Sequence, residues 1–233
     1  MQFHPQKCQL LQVTTKRNPS NFHYKIHGYD IESTANAKYL GVTINNKLSW
    51  NNHISNISNK ANGSLNFLNR NFKTCNTKTK EKLYTTYVRP SLEFSSSVWD
   101  PHTDINIGQL ERVQRRAARF VTGNYSRDES VTAMMRDRGW TPLTERRARA
   151  KMTTAFKATH HMVDIPFDLP LAHSNTRSSQ NFYLPFARTD VYKFSFYLNA
   201  IRRWNALPLF IRESSSLSEF QRAIRGHTIT YHY

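Results

Sequence analysis

Residues 109–120, QLERVQRRAARF, decide how this chain reads. At 3.6 residues per turn, Arg112, Arg115, Arg116 and Arg119 fall within about 100° of one another on a helix. Leu110, Val113, Ala117, Phe120 and Val121 fall on roughly the opposite side. One face can therefore pack on a core while the other carries four guanidinium groups. Glu111 is the only acid in the stretch, and it lies off that face. Like charges so close repel one another, so the face is costly unless water or an anion screens it. A solvated face and a seat for an anionic partner are both open at this point, and the rest of the chain weighs between them.

Working outward, the 233 residues suffice for one large or two small domains with a real core. Lys plus Arg number 33 against 16 Asp plus Glu, a net charge of +17. That excess favours a polyanionic partner, nucleic acid ahead of membrane. Four Trp, eleven Tyr and fourteen Phe argue against wholesale disorder. Cys8 and Cys75 are far apart, match no metal-ligand spacing, and read as reduced intracellular thiols. No run of about 18 apolar residues exists, and the N-terminus lacks the apolar core of a signal peptide. The expectation is an intracellular chain, nuclear or cytoplasmic, with no membrane partner. Met1 makes a poor start, because strand-like sequence follows it almost at once.

Residues 7–16, 22–26 and 37–44 read as strands, with Gly28 and Asp30 in a turn and Asn45-Asn46 in another. After Lys47 the period changes. Trp50, Ile54, Ile57, Ala61, Leu65 and Leu68 mark a long amphipathic helix with Ser49 as N-cap and an Asn-rich outer face. A second helix begins near Asn76 and Thr77, carries Leu83, Tyr84, Tyr87 and Val88, and should kink or end at Pro90. Helix can resume over 92–99 before the Asp100-Pro101 break. Ser126 and Glu129 have capping-box spacing for a short helix through Val131, Met134 and Met135, stopped by Gly139. Thr141-Pro142 opens a helix with Met152, Ala155, Phe156, Thr159 and Val163 on one face. Pro166, Pro170 and 173–180 read as a loop, and 192–208 is ambiguous between strand and helix. Ser216 and Glu219 form another capping box, for a last helix with Phe220 and Ile224. The fold class expected is α+β, mostly α: a small N-terminal antiparallel β unit, a helical bundle and an α-rich C-terminal extension.

Catalytic and metal chemistry find little support. No Asp-Asp pair occurs, whereas two-metal phosphoryl transfer needs several convergent carboxylates. Asp100 and Asp104 flank Pro101 and His102 and could hold one metal, but capping and turn formation explain both more simply. His160 and His161 are adjacent and point about 100° apart on a helix, which rules out an i, i+4 ligand pair. No phosphate-binding glycine loop and no G-x-S-x-G elbow is present. Basic and aromatic residues are interleaved instead: Arg146, Arg147, Arg149 and Lys151, then Arg202 and Arg203 beside Trp204. Such cations can contact phosphates without reading sequence, and aromatics can stack unpaired bases, although core packing is the simpler reading of the aromatics.

Four blocks carry a family resemblance: KYLGVTI (38–44), YVRPSLEFSSSVWD (87–100), LERVQRRAARF (110–120) and YKFSFYLNAIRRWNALP (192–208). Together, in this order, they resemble the C-terminal part of the reverse transcriptase of jockey-like non-LTR (LINE-type) retrotransposons. The resemblance implies a remnant of the palm with a primer-grip-like strand over 1–46. It implies a thumb-like helical region over 47–124 and a helical C-terminal extension over 125–233, with a loop near 164–190. By resemblance Tyr39, Leu40 and Gly41, with Lys38 beside them, lie near a primer strand. The thumb lies against a template–primer duplex of RNA and DNA. The remaining candidate nucleic-acid contacts are Arg112, Arg115, Arg116, Arg119, Arg146, Arg147, Arg202 and Arg203. The family's catalytic aspartates, in an aromatic-Ala-Asp-Asp motif and an earlier palm strand, match no position here. No catalytic residue and no metal ligand are therefore expected, and Mg2+ belongs only to the intact polymerase. The missing palm and fingers would be partners. The expected function is that of a reverse-transcriptase fragment that retains sequence-independent template–primer binding. A host-retained interaction or structural module is the alternative.

Overall fold

The computed structural model describes residues 4–14, 16–20, 22–165, 181–227 and 229. The loop expected at 166–180 lies outside them. A 3-10 turn at Pro5–Lys7 leads into β1 (Gln9–Leu10). β2 (Lys25–Ile26) and β3 (Tyr29–Asp30) form an antiparallel hairpin, and β4 (Glu32–Ser33) returns to pair with β1 in parallel. The strands expected at 7–16 and 22–26 thus shrink to two residues each, surviving only where a neighbour satisfies their backbone groups. The β1–β4 ladder also departs from the antiparallel expectation, since its two strands run parallel.

The largest correction concerns 37–44, read as one strand. It folds as a hairpin, β5 (Asn36–Tyr39) against β6 (Val42–Asn45), with Tyr39 opposite Val42. Leu40 (φ 46°) and Gly41 (φ 88°) make the two-residue turn. Turns of this length match the twist of the flanking strands when both central residues have positive φ. Gly41 meets that demand freely, whereas Leu40 pays the steric penalty of a side chain in the left-handed region.

Helices make up most of the rest, so the protein is α+β and mostly α. α1 (Asn51–Asn71) begins after Trp50, one residue beyond the expected cap, and Ser49 Oγ accepts from Asn51 N–H at 3.4 Å. α2 (Thr77–Leu83) is capped by Asn76, whose Oδ1 accepts from Thr79 N–H at 2.9 Å. Pro90 does not end the helix. A π-turn over Tyr84–Val88 widens the ladder just before it, and α3 (Arg89–Glu93) continues. The wider turn accommodates a residue with no N–H to donate. Ser95, at φ 53°, separates α3 from α4 (Ser96–Trp99). α5 (Asp104–Thr122) contains the arginine stripe and stops at Gly123, left-handed at φ 71°.

α6 (Val131–Asp137) is capped by Ser130 rather than Ser126. Ser126 instead accepts from Asp128 N–H through its own Oγ, closing a local turn. α7 (Leu143–Thr159) follows Pro142, and Val163 lies beyond its end. The ambiguous 192–208 region is helical: α8 (Asp190–Lys193) precedes α9 (Phe196–Ala206), and α10 (Leu209–Arg212) follows Pro208. α11 (Leu217–Arg225) starts at the expected cap, with Ser216 Oγ accepting from Glu219 N–H at 3.2 Å.

Two main apolar clusters form. One joins α1, the π-turn, α3, α4 and α5 through Ile54, Leu65, Val88, Leu92, Trp99 and Leu110. The other joins α7, α9, α10 and α11 through Met152, Phe156, Trp204, Ile211 and Phe220. α7 links them: Leu143 belongs to the first cluster and Ala148 to the second. α1 and α5 pack side by side and run in the same direction. Asn106 donates to Asn51 near their starts, Arg116 to Asn62 and Asn66 further on, and Tyr125 to Asn69 near the end of α1.

Candidate nucleic-acid interface

The amphipathic reading of α5 holds in three dimensions. Leu110, Val113, Ala117, Phe120 and Val121 are buried, while Arg112, Arg115 and Arg116 are exposed and Arg119 is half-buried. Arg119 Nη1 donates to the Ser126 carbonyl at 2.8 Å. Glu111 turns away toward α7, where its Oε1 accepts from both the N–H and the hydroxyl of Thr144 at 2.8 Å. Among the described residues, none of the four arginines forms an ion pair with a carboxylate. Lys80 of α2 adds a further cation over the Phe120 ring, 5.6 Å from its centroid. A positive face whose arginines are not ion-paired among the described residues keeps its charge available to an external anion.

The remaining candidate arginines behave differently. Arg146 is clamped by Glu93, with Nη2 to Oε2 at 3.1 Å and Nε to Oε1, and this hydrogen bonding raises its pKa further above the ordinary value. Arg202 is half-buried on α9. Arg147 and Arg203 are buried, which corrects their reading as phosphate contacts. Both turn inward to Asp100, which is itself buried. Arg147 Nε lies 3.0 Å from Oδ1, Lys151 Nζ 3.0 Å from Oδ2, and Arg203 Nη2 3.9 Å from Oδ2. Asn199 Oδ1 ties two of these cations together, accepting from Lys151 at 3.1 Å and from Arg203 Nε at 2.7 Å.

Three cations therefore share one carboxylate. Burial pushes the Asp100 pKa up, but Lys151, Arg147 and Arg203 outweigh it and hold the group below its ordinary value. Lys151 is held low by burial and by Arg203, with Asp100 opposing. The two directions have different leading causes: the three cations favour the lone anion, whereas burial is what chiefly lowers Lys151. Asp100 thus serves the junction of α4, α7 and α9 as an ion-pair acceptor. Among the described residues no group of three metal-ligating side chains converges.

The resemblance-based residues Lys38, Tyr39, Leu40 and Gly41 form the end of the β5–β6 hairpin, and all are exposed. Tyr39 and Leu40 are 67% and 77% accessible. Phe94 lies beside the turn; a Cβ on Gly41 would sit 3.2 Å from its Cε1. The hairpin adjoins the start of α1, where Asn52 donates to Asn36 and Thr43 N–H donates to His53 Nδ1. The arginine stripe lies beside the second half of α1, so the two candidate regions occupy different stretches of one helix pair.

No family model, no curated protein and no solved structure matches this chain. Among the described residues no helix is long and apolar enough to cross a membrane.

Proposed function

We propose that this chain is the C-terminal portion of a jockey-like non-LTR retrotransposon reverse transcriptase: end of palm, thumb and C-terminal extension. Its own role is to bind an RNA–DNA or DNA duplex through phosphates, without reading sequence. The observation that carries this reading is the α5 face, where Arg112, Arg115 and Arg116 are exposed with no carboxylate paired to them among the described residues. The order of the four sequence blocks supports the family side of the reading.

The test is fluorescence anisotropy with mixed-sequence RNA–DNA and DNA duplexes over a series of salt concentrations. Affinity falls steeply with salt, with little dependence on sequence, because binding releases condensed counterions. A flat salt response overturns the reading. Magnesium-dependent primer extension by the purified chain gives no product, since no catalytic aspartate of the family has a counterpart here. Template-directed synthesis would refute that part.

A second reading, a non-enzymatic interaction module retained by a host, draws on exposed apolar side chains near the hairpin: Tyr39, Leu40 and Phe94. Saturable binding to one defined protein, unaffected by substitutions in the arginine stripe, would favour it.

A further inference from the structure

Arg116 differs from the other arginines in what holds it. Its Nη1 donates to Asn62 Oδ1 at 2.6 Å and its Nη2 to Asn66 Oδ1 at 2.9 Å, both on α1. A guanidinium has only donors, so both amides must turn their oxygens toward it. The two acceptors are one helical turn apart, and together they fix the guanidinium across the seam between α1 and α5. They are also neutral. Arg146 is both oriented and neutralised by Glu93, whereas Arg116 is oriented and keeps its charge.

Among the described residues the surroundings do not supply the missing anion. The 21 residues of α1 contain no Asp or Glu, and Asn59, Asn62, Asn66 and Asn69 recur at helical spacing along one side. Glu111 on α5 faces the other way, toward Thr144. An arginine held by two bonds loses little further side-chain freedom when an anion arrives, which favours binding over a freely moving cation.

We propose that Asn62 and Asn66 are positioning residues of the phosphate-binding surface. They hold Arg116 astride the α1–α5 seam with its charge directed at one phosphate of a nucleic-acid backbone. This rests on the nucleic-acid reading above and adds α1 to the surface. Neutral acceptors are the essential choice: a carboxylate at either place would hold Arg116 more firmly and cancel its charge. Fold stability must therefore hold or rise while phosphate binding falls on the same isosteric change, which a purely structural role for the amides does not require.

The experiment uses the full chain and a labelled mixed-sequence RNA–DNA duplex. Asn62→Asp/Asn66→Asp keeps shape and acceptors while adding two carboxylates. Its thermal midpoint stays level or rises, its affinity falls about tenfold, and its salt slope becomes shallower by about one phosphate contact. Asn56→Asp/Lys60→Asn makes the same net charge change on another side of α1 and loses much less affinity. Arg116→Gln repeats the loss in the parent chain, yet costs almost nothing more when added to Asn62→Asp/Asn66→Asp. Three results overturn the proposal while leaving the nucleic-acid reading intact, provided that Arg112→Ala/Arg115→Ala still weakens binding. The first is unchanged affinity in Asn62→Asp/Asn66→Asp. The second is an equal loss in the control. The third is an additive loss with Arg116→Gln. If the parent chain shows no salt-dependent binding, both readings fall together.

Discussion

Arg147 and Arg116 are the same residue type on neighbouring long helices, and they meet opposite fates. Arg147 is withdrawn from water against Asp100, in a cluster whose three cations and single carboxylate hold α4, α7 and α9 together. Arg116 stays at the surface, gripped by two neutral amides. A basic side chain becomes architecture when a carboxylate lies within reach and stays available to a partner when only neutral acceptors do. Net charge alone cannot make that distinction, because every one of these arginines contributes equally to it.

The strongest way to break the contrast is to remove the carboxylate. Asp100→Ala leaves Arg147, Lys151 and Arg203 buried around an empty place. The loss of one member of a buried ion-pair group costs about 3–5 kcal/mol, read as a lower urea midpoint. A change within about 0.5 kcal/mol would mean that the buried cluster holds nothing together. Acid applies the same perturbation reversibly. The Asp100 pKa is held below its ordinary value in the folded chain, so the unfolded chain binds this proton more readily. Its contribution is complete above the ordinary carboxylate pKa of about 3.9 and is lost as pH falls through the lower folded value. The stability difference between the parent chain and Asp100→Asn is therefore widest near neutrality and narrows below about pH 4. A difference that grows on acidification would contradict the assignment.

Much of the scaffold around these arginines was legible in the sequence because its signals are local. The α5 stripe, the helix start near Asn76, the Ser216 cap and the α1 periodicity need only neighbours within a turn or two. The division between buried and open arginines was not legible. Asp100 and Arg147 are 47 residues apart, and only the packing of α4 on α7 brings them together. Arg146 and Arg147 are adjacent in the chain, yet the rotation of about 100° per residue sends one to Glu93 and the other to Asp100. The hairpin at 36–45 was missed for another reason. Its β-branched residues fit a single strand, and the contrary signal was Gly41 alone.

That turn offers an intermediate test, on the hairpin rather than the stripe. Gly41→Ala places a methyl group at φ 88°, beside Phe94. The left-handed conformation alone costs about 1–2 kcal/mol, and relief of the Phe94 contact requires the ring to shift. The loss should appear as a lower urea midpoint with the arginine stripe still functional in duplex binding. If binding disappears along with the hairpin, the two regions act as one surface.

The smallest expected effect on stability sharpens the comparison most. Arg112 and Arg115 are exposed and have no carboxylate partner among the described residues, so Arg112→Ala/Arg115→Ala should move the urea midpoint by no more than about 0.5 kcal/mol. Relief of like-charge repulsion along α5 can even make the variant slightly more stable. Yet the same change removes two charges that a phosphate backbone would meet, so the plot of log affinity against log salt should lose about 1.4–1.8 units of slope. Asp100→Asn should show the reverse pattern, a large stability loss with an unchanged slope in the molecules that remain folded. Equal slopes in parent and Arg112→Ala/Arg115→Ala would place the phosphate contacts elsewhere, because counterion release counts the cations that meet phosphate regardless of how the fold is held.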